Sequence, residues 1–89
     1  MKCALSVLGK DRPGIVAGVA TTLTECGANI DDISQTILGD MFSMTMMVTV
    51  NPDVADFDEV QDKLTATGED LGVQVTLQRE ELFQAMYKI

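Results

Sequence analysis

The stretch Gly9-Lys10-Asp11-Arg12-Pro13-Gly14-Ile15-Val16 sits between two differently patterned segments, and its reading decides the fold. On its amino side, Lys2 to Leu8 alternates, with Cys3, Leu5 and Val7 on one face and Ala4, Ser6 and Leu8 on the other. That period of two is a strand. On its carboxyl side, Ile15, Val16, Val19, Leu23 and Cys26 recur at helical spacing until Gly27 ends the element. The octet is therefore a strand-to-helix turn. Pro13 suits the first helical position, because its ring angle is already set and it has no amide hydrogen to lose. Arg12 then falls at the N-cap, where arginine is not a preferred residue. The amides of Gly14, Ile15 and Val16 are left without an evident partner, at the end of a helix where the dipole favours negative charge. Gly14 carries no side chain to obstruct approach. The turn is thus a candidate site for a small carboxylate or phosphate, with a water-capped turn as the alternative.

Working outward, Ala17, Gly18 and Ala20 make the first helix slim, which suits close packing on a neighbour. Asn29 to Leu38 reads as a second strand, but Ile30 is out of phase with Ile33 and Ile37, which predicts a bulge near Asp31-Asp32. Gly39-Asp40 is a hairpin signal. Met41 to Val50 then alternates, sending Phe42, Met44, Met46, Val48 and Val50 to one face. After the Asn51-Pro52 break, Asp56 followed by Glu59 predicts a capping box opening a second helix. Phe57, Val60, Leu64 and Leu71 line one face of it, and Asp58, Glu59, Asp62, Glu69 and Asp70 make the other a solvated acidic face. Gly72 caps it. Val73, Val75 and Leu77 form a last strand, and Glu80 to Ile89 reads as a short amphipathic helix.

The order strand, helix, strand, strand, helix, strand, with right-handed crossovers, is the split βαβ of a ferredoxin-like fold. The expectation is an α+β βαββαβ sandwich: a four-stranded antiparallel sheet with both helices on one face, plus a C-terminal helix. Residues 1–79 form the domain, and 80–89 pack on it or on a second subunit. Ala4, Leu8, Met41 and Met47 make the other sheet face unusually apolar. Strand two lies at an open edge, where a second copy could pair.

Composition narrows the function. The 89 residues carry 14 Asp plus Glu against 6 Lys plus Arg, a net charge of −8. That balance argues against nucleic acid, which needs a basic patch. An RNA-binding sheet would need stacking aromatics, and Phe42 is phased toward the core. No apolar run reaches the length of a membrane span, and no signal segment opens the chain. Cys3 and Cys26 are not a close-spaced pair and there is no histidine, so neither a zinc site nor a cofactor is expected. Two reduced, buried thiols suit the cytoplasm. Without histidine no Ser-His or Cys-His nucleophile can be built. The Gly9 to Gly14 spacing resembles a Walker loop, but Ile15-Val16 stand where Lys and Ser/Thr should follow. Asp31-Asp32 would point to opposite sheet faces, against a shared-site dyad. Acylphosphatases also build an anion site at a first turn, but theirs has an arginine beyond it, whereas Arg12 precedes Pro13. Catalysis is not expected, and binding is.

Asp11-Arg12-Pro13-Gly14-Ile15-Val16, the slim helix ending in Cys26-Gly27-Ala28-Asn29-Ile30, and the hairpin that follows resemble an ACT domain, the small-ligand regulatory module of amino-acid metabolism. With the tail Leu82 to Ile89 included, the whole chain is similar to the small stand-alone bacterial and archaeal ACT proteins. The resemblance implies a homodimer that binds an amino acid at the subunit interface. By motif, Asp11 and Gly14 match the ligand positions of the first turn, and Asn29 with Ile30 those at the start of strand two. Around them, Arg12, Pro13, Ile15 and Val16 complete the candidate set. Asp11 replaces the neutral amide of serine-binding members, which points to a bound cation or a different ligand class. Two readings follow: an amino-acid sensor reporting to a protein partner, or a constitutive interaction subunit with no ligand.

Overall fold

The computed structural model describes residues 1–82. Its elements are β1 (Lys2–Lys10), α1 (Ile15–Glu25), β2 (Asn29–Leu38), β3 (Met41–Thr49), α2 (Phe57–Leu71) and β4 (Val73–Arg79). The strands form one antiparallel sheet in the order β2-β3-β1-β4. This is the expected ferredoxin-like α+β arrangement, with β2 at an edge. Glu80 to Leu82 begin a helical turn. The rest of the expected C-terminal helix, and with it the docking of residues 80–89, lies outside the described residues.

The core forms where the alternating strand faces meet the helix stripes. Leu5 and Val7 of β1, Met44, Met46 and Val48 of β3, Ile15, Val19 and Leu23 of α1, and Val60 and Leu64 of α2 are all buried. Both cysteines are free and buried, and burial pushes their thiols up from the ordinary range. The acidic residues of α2 are exposed, as expected of a solvated face. On the sheet face away from the helices, Leu8 and Met41 are exposed, while Ala4 is buried and Met47 half-buried. No helix among the described residues is long and apolar enough to cross a membrane.

The helix ends follow their local chemistry. At the close of α1, Gly27 takes φ 71°; its amide donates to the Thr24 carbonyl and that of Ala28 to Leu23, a complete Schellman motif. At the start of α2 the Asp56 carboxylate accepts from the Glu59 amide at 2.9 Å. Asp56→Ala removes that acceptor at an exposed cap. It should cost about 1 kcal/mol, read as a fall of roughly 4–8 °C in Tm for a domain of this size. No change in melting temperature would mean that the cap is redundant.

The expected bulge is present, as the β2–β3 register shifts between Ile30 and Asp32. Ile30 pairs with Val48 before the shift, and Ile33 and Ile37 pair with Met46 and Phe42 after it. The extra residue, Asp31, thereby returns all three isoleucines to the helix side of the sheet. Two boundaries differ from the expectation. Strand β1 runs on to Lys10 because Met41 is there to pair with it. The first helix begins at Ile15, two residues later than Pro13, because Gly14 adopts φ 91°, ψ 0°. Pro followed by a left-handed Gly is the signature of a type II turn, and that conformation cannot be helical.

Candidate functional site

The first turn is held at both ends and open in the middle. The Asp11 amide donates to the Asp40 carbonyl at 2.7 Å, tying it to the tip of the β2–β3 hairpin. Ile15, at the far end, is buried in the core. Between them Asp11, Arg12, Pro13 and Gly14 are exposed, and Val16 is half-buried. A Cβ built on Gly14 would meet no heavy atom within 4 Å, so solvent reaches the backbone directly.

The N-cap of α1 is Gly14, not Arg12, and no side chain caps the helix. Its carbonyl accepts from the Gly18 amide at 2.9 Å. The first-turn donors are consequently those of Ile15, Val16 and Ala17, shifted one residue from the expected set. Ala17 was missed; the signal that identifies it is the Pro13-Gly14 pair read as a type II turn. Nor does α1 carry an acidic residue in its first turn to offset the dipole.

Arg12 is engaged elsewhere. Its Nη1 donates to the Leu71 carbonyl at 3.1 Å, at the carboxyl end of α2. That helix has no basic residue in its own last turn, and Glu69 and Asp70 stand there instead. Arg12 supplies the missing cation from another element.

Asn29 and Ile30 lie at the opposite end of the sheet. Asn29 and Lys2 both pair with Thr49, whereas Lys10 pairs with Met41. The eight residues of β3 between those positions span roughly 26 Å at the ordinary strand rise. One subunit therefore does not bring Asn29 to the first turn. Asn29 is exposed and Ile30 packs against the core. The Asn29 Nδ2 donates to Asp31 Oδ1 at 2.7 Å, and Thr49 Oγ1 donates to Asp31 Oδ2 at 2.6 Å. These two contacts, Thr49 first and Asn29 second, hold the Asp31 carboxyl below the usual carboxylate range, with Lys2 adding to the effect. Asp32 Oδ1 instead accepts from the Ile33 amide at 2.8 Å. Strict alternation does not hold at a bulge, so it is this separate engagement that keeps the two carboxylates from acting as a dyad. Among the described residues, no group of three or more His, Cys, Asp or Glu gathers as a metal ion would need.

This geometry, an uncapped helix start after a Pro-Gly turn on a βαββαβ scaffold, coincides with a family assignment. A family model described as the ACT domain matches residues 4–78. The chain belongs to the ACT domain family. The ACT fold is a regulatory module rather than a catalytic one. A UPF0237 protein of Listeria innocua is 48% identical over 89 residues, covering 100% of both chains. Among solved structures, an ACT domain protein from Streptococcus pneumoniae superimposes with a TM-score of 0.78 at 38% identity, over 100% of this chain and 96% of that one. The regulatory subunit of aspartate kinase from Thermus thermophilus, in a ligand-free form, gives a TM-score of 0.67 at 28% identity. It covers 86% of this ACT domain and 50% of that chain.

Proposed function

We propose that this ACT protein is a regulator that senses an amino acid at the interface of a homodimer. The observation that carries the reading is the open amino end of α1: three successive amides with no side-chain cap, behind a glycine with clear space above it. A carboxylate is the group such a site accepts.

The second subunit follows from the inequality of the two sheet edges. On β4, Gln61 Oε1 accepts from the Leu77 amide at 2.9 Å, so that edge is partly closed from within. On β2 every residue but Ile30 is exposed. Ile33 and Ile37 face the helix side and still remain 44% and 54% exposed, because the helices do not reach the edge strand. Gly18 and Thr22 turn toward α2, meeting Leu71 and Thr67. The helical period then leaves Val16 and Ala20 on the flank of α1 nearer that edge. Antiparallel pairing of β2 with its copy, centred between Ile33 and Ser34, sets Asn29 of one subunit opposite Leu38 of the other. Leu38 adjoins Asp40, whose carbonyl holds Asp11. The symmetry thus carries Asn29 toward the partner's first turn, which one chain alone keeps remote.

A second reading, a constitutive interaction subunit without a ligand, draws on Arg12 and Asp11. The arginine is already spent on Leu71, and the carboxylate at the turn would oppose an anion. A thermal-shift screen of the twenty amino acids, run alongside a mass measurement in solution, separates the two. A ligand at 100 times its Kd adds about 2.7 kcal/mol, or a rise of roughly 10 °C or more in Tm. A dimer with a flat screen overturns the sensor and leaves the second reading. A monomer in both conditions overturns the interface.

A further inference from the structure

We infer that Asp31 is a positioning residue for Asn29, fixing its amide so that Oδ1 is presented to the ligand as a hydrogen-bond acceptor. On that geometry the Asn29 corner takes the ammonium of an amino acid while the carboxylate goes to the α1 amides. The inference rests on the sensor reading above and extends it to the chemistry of one corner of the site.

The argument begins with the bulge. As the extra residue of β2, Asp31 has no partner of its own on β3. Its side chain reaches Thr49, the residue that pairs with Asn29. Thr49 Oγ1 donates to one carboxylate oxygen at 2.6 Å and Asn29 Nδ2 to the other at 2.7 Å. An ionised carboxylate is acceptor-only, so the NH2 group of Asn29, and never its oxygen, must face it. Asp31 thereby settles which way the amide is turned, an orientation that an isolated exposed asparagine leaves free. With one N–H held, the oxygen points away from Asp31. The surroundings keep the carboxyl ionised: the two hydrogen bonds lower its pKa, and Lys2 of β1 contributes in the same direction. Asp32, the adjacent acid, is occupied by the Ile33 amide. An outward amide oxygen suits a donor such as an ammonium and rejects a second carboxylate. A carboxylate at the other end of the ligand then has only the helix amides to occupy, which fixes the direction of binding.

The test has a ligand-free and a ligand-bound arm, both on the full chain. In a 15N NMR titration, the two Asn29 Nδ2 protons should be strongly inequivalent. Their shifts should move as Asp31 protonates, below the usual carboxylate range, and the inequivalence should vanish in Asp31→Ala. Equivalent, pH-insensitive protons in the native chain overturn the positioning. In the binding arm, the amino acid giving the largest thermal shift is compared with the same acid lacking its amino group. The native chain should prefer the amino acid at least tenfold, and Asp31→Ala should lose that preference while still binding the deaminated acid. Because Asp31 acts through Asn29, Asn29→Ala should lose the preference to the same extent, and the double variant should lose nothing more. Additive losses mean that Asp31 meets the ligand itself and overturn the inference. Equal weakening of both ligands in Asp31→Ala shows a merely structural role and overturns it too. A flat amino-acid screen of the native chain removes the sensor reading and this assignment together, a result distinct from either.

Discussion

Gly68→Ala should lower the stability of the domain by about 2 kcal/mol, although alanine is the better helix former by about 1 kcal/mol. Gly68 is a buried residue in the interior of α2. A Cβ placed there would lie 2.7 Å from the Val73 carbonyl oxygen and 3.0 Å from Val75 Cγ2. The carbonyl belongs to the first residue of β4, so it cannot swing aside as a side chain would. Relief requires α2 to lift from β4. Lifting opens space around Leu64, one turn earlier on the same helix and fully buried. For a domain of this size the loss corresponds to roughly 10 °C in Tm. Gly18→Ala is the internal control. Its Cβ would meet Leu71 Cδ1 at 2.9 Å, the far end of a flexible side chain. Leu71 can change rotamer, so the helix-propensity gain offsets the crowding and the net effect should stay within about 0.5 kcal/mol of zero. Thermal denaturation of the two variants side by side tests the distinction. If both behave alike, the close approach of α2 to β4 is not what the geometry says it is.

The double substitution Ile33→Lys, Ile37→Lys should dissociate the proposed dimer without unfolding the chain. Both residues are half exposed in the single subunit, so the lone domain loses little. In the assembly each isoleucine would bury its remaining surface, about 1 kcal/mol apiece. Four such side chains across the two-fold axis amount to roughly 4 kcal/mol, a thousandfold in Kd. The four introduced cations, placed near one another across the axis, add repulsion. Sedimentation should report a monomer whose circular dichroism is unchanged. Thr76→Lys, an exposed position on β4, should leave the dimer intact. A double variant that stays dimeric, or a β4 variant that falls apart, would move the interface away from β2.

How much of this was legible beforehand differs between fold and site. Alternation in Met41–Thr49 and the 3.6-residue stripe of α2 report burial directly, because a periodic apolar face has only one economical place to go. The Asp56 cap, the Gly27 and Gly72 terminators and the bulge beside Asp31 were equally readable, since each arises among residues close in the chain. The start of α1 was misjudged by two residues although its signal was local. Pro13 fits both a helix start and the second position of a type II turn, and Gly14 at φ 91° decides between them. Gly68 escaped notice because its value lies in the distance to a strand that the chain has yet to form.

By itself the sequence determined the element order, the core faces and the exposed donors at the head of α1. All of these depend on periodicity and on caps acting over a few residues. Only the tertiary structure decided where Arg12 spends its charge, that Asp31 holds the Asn29 amide, and that the first turn and Asn29 stand at opposite ends of the sheet. Those facts join residues brought together by strand pairing and helix docking, and no local pattern encodes a hydrogen bond between positions 59 residues apart.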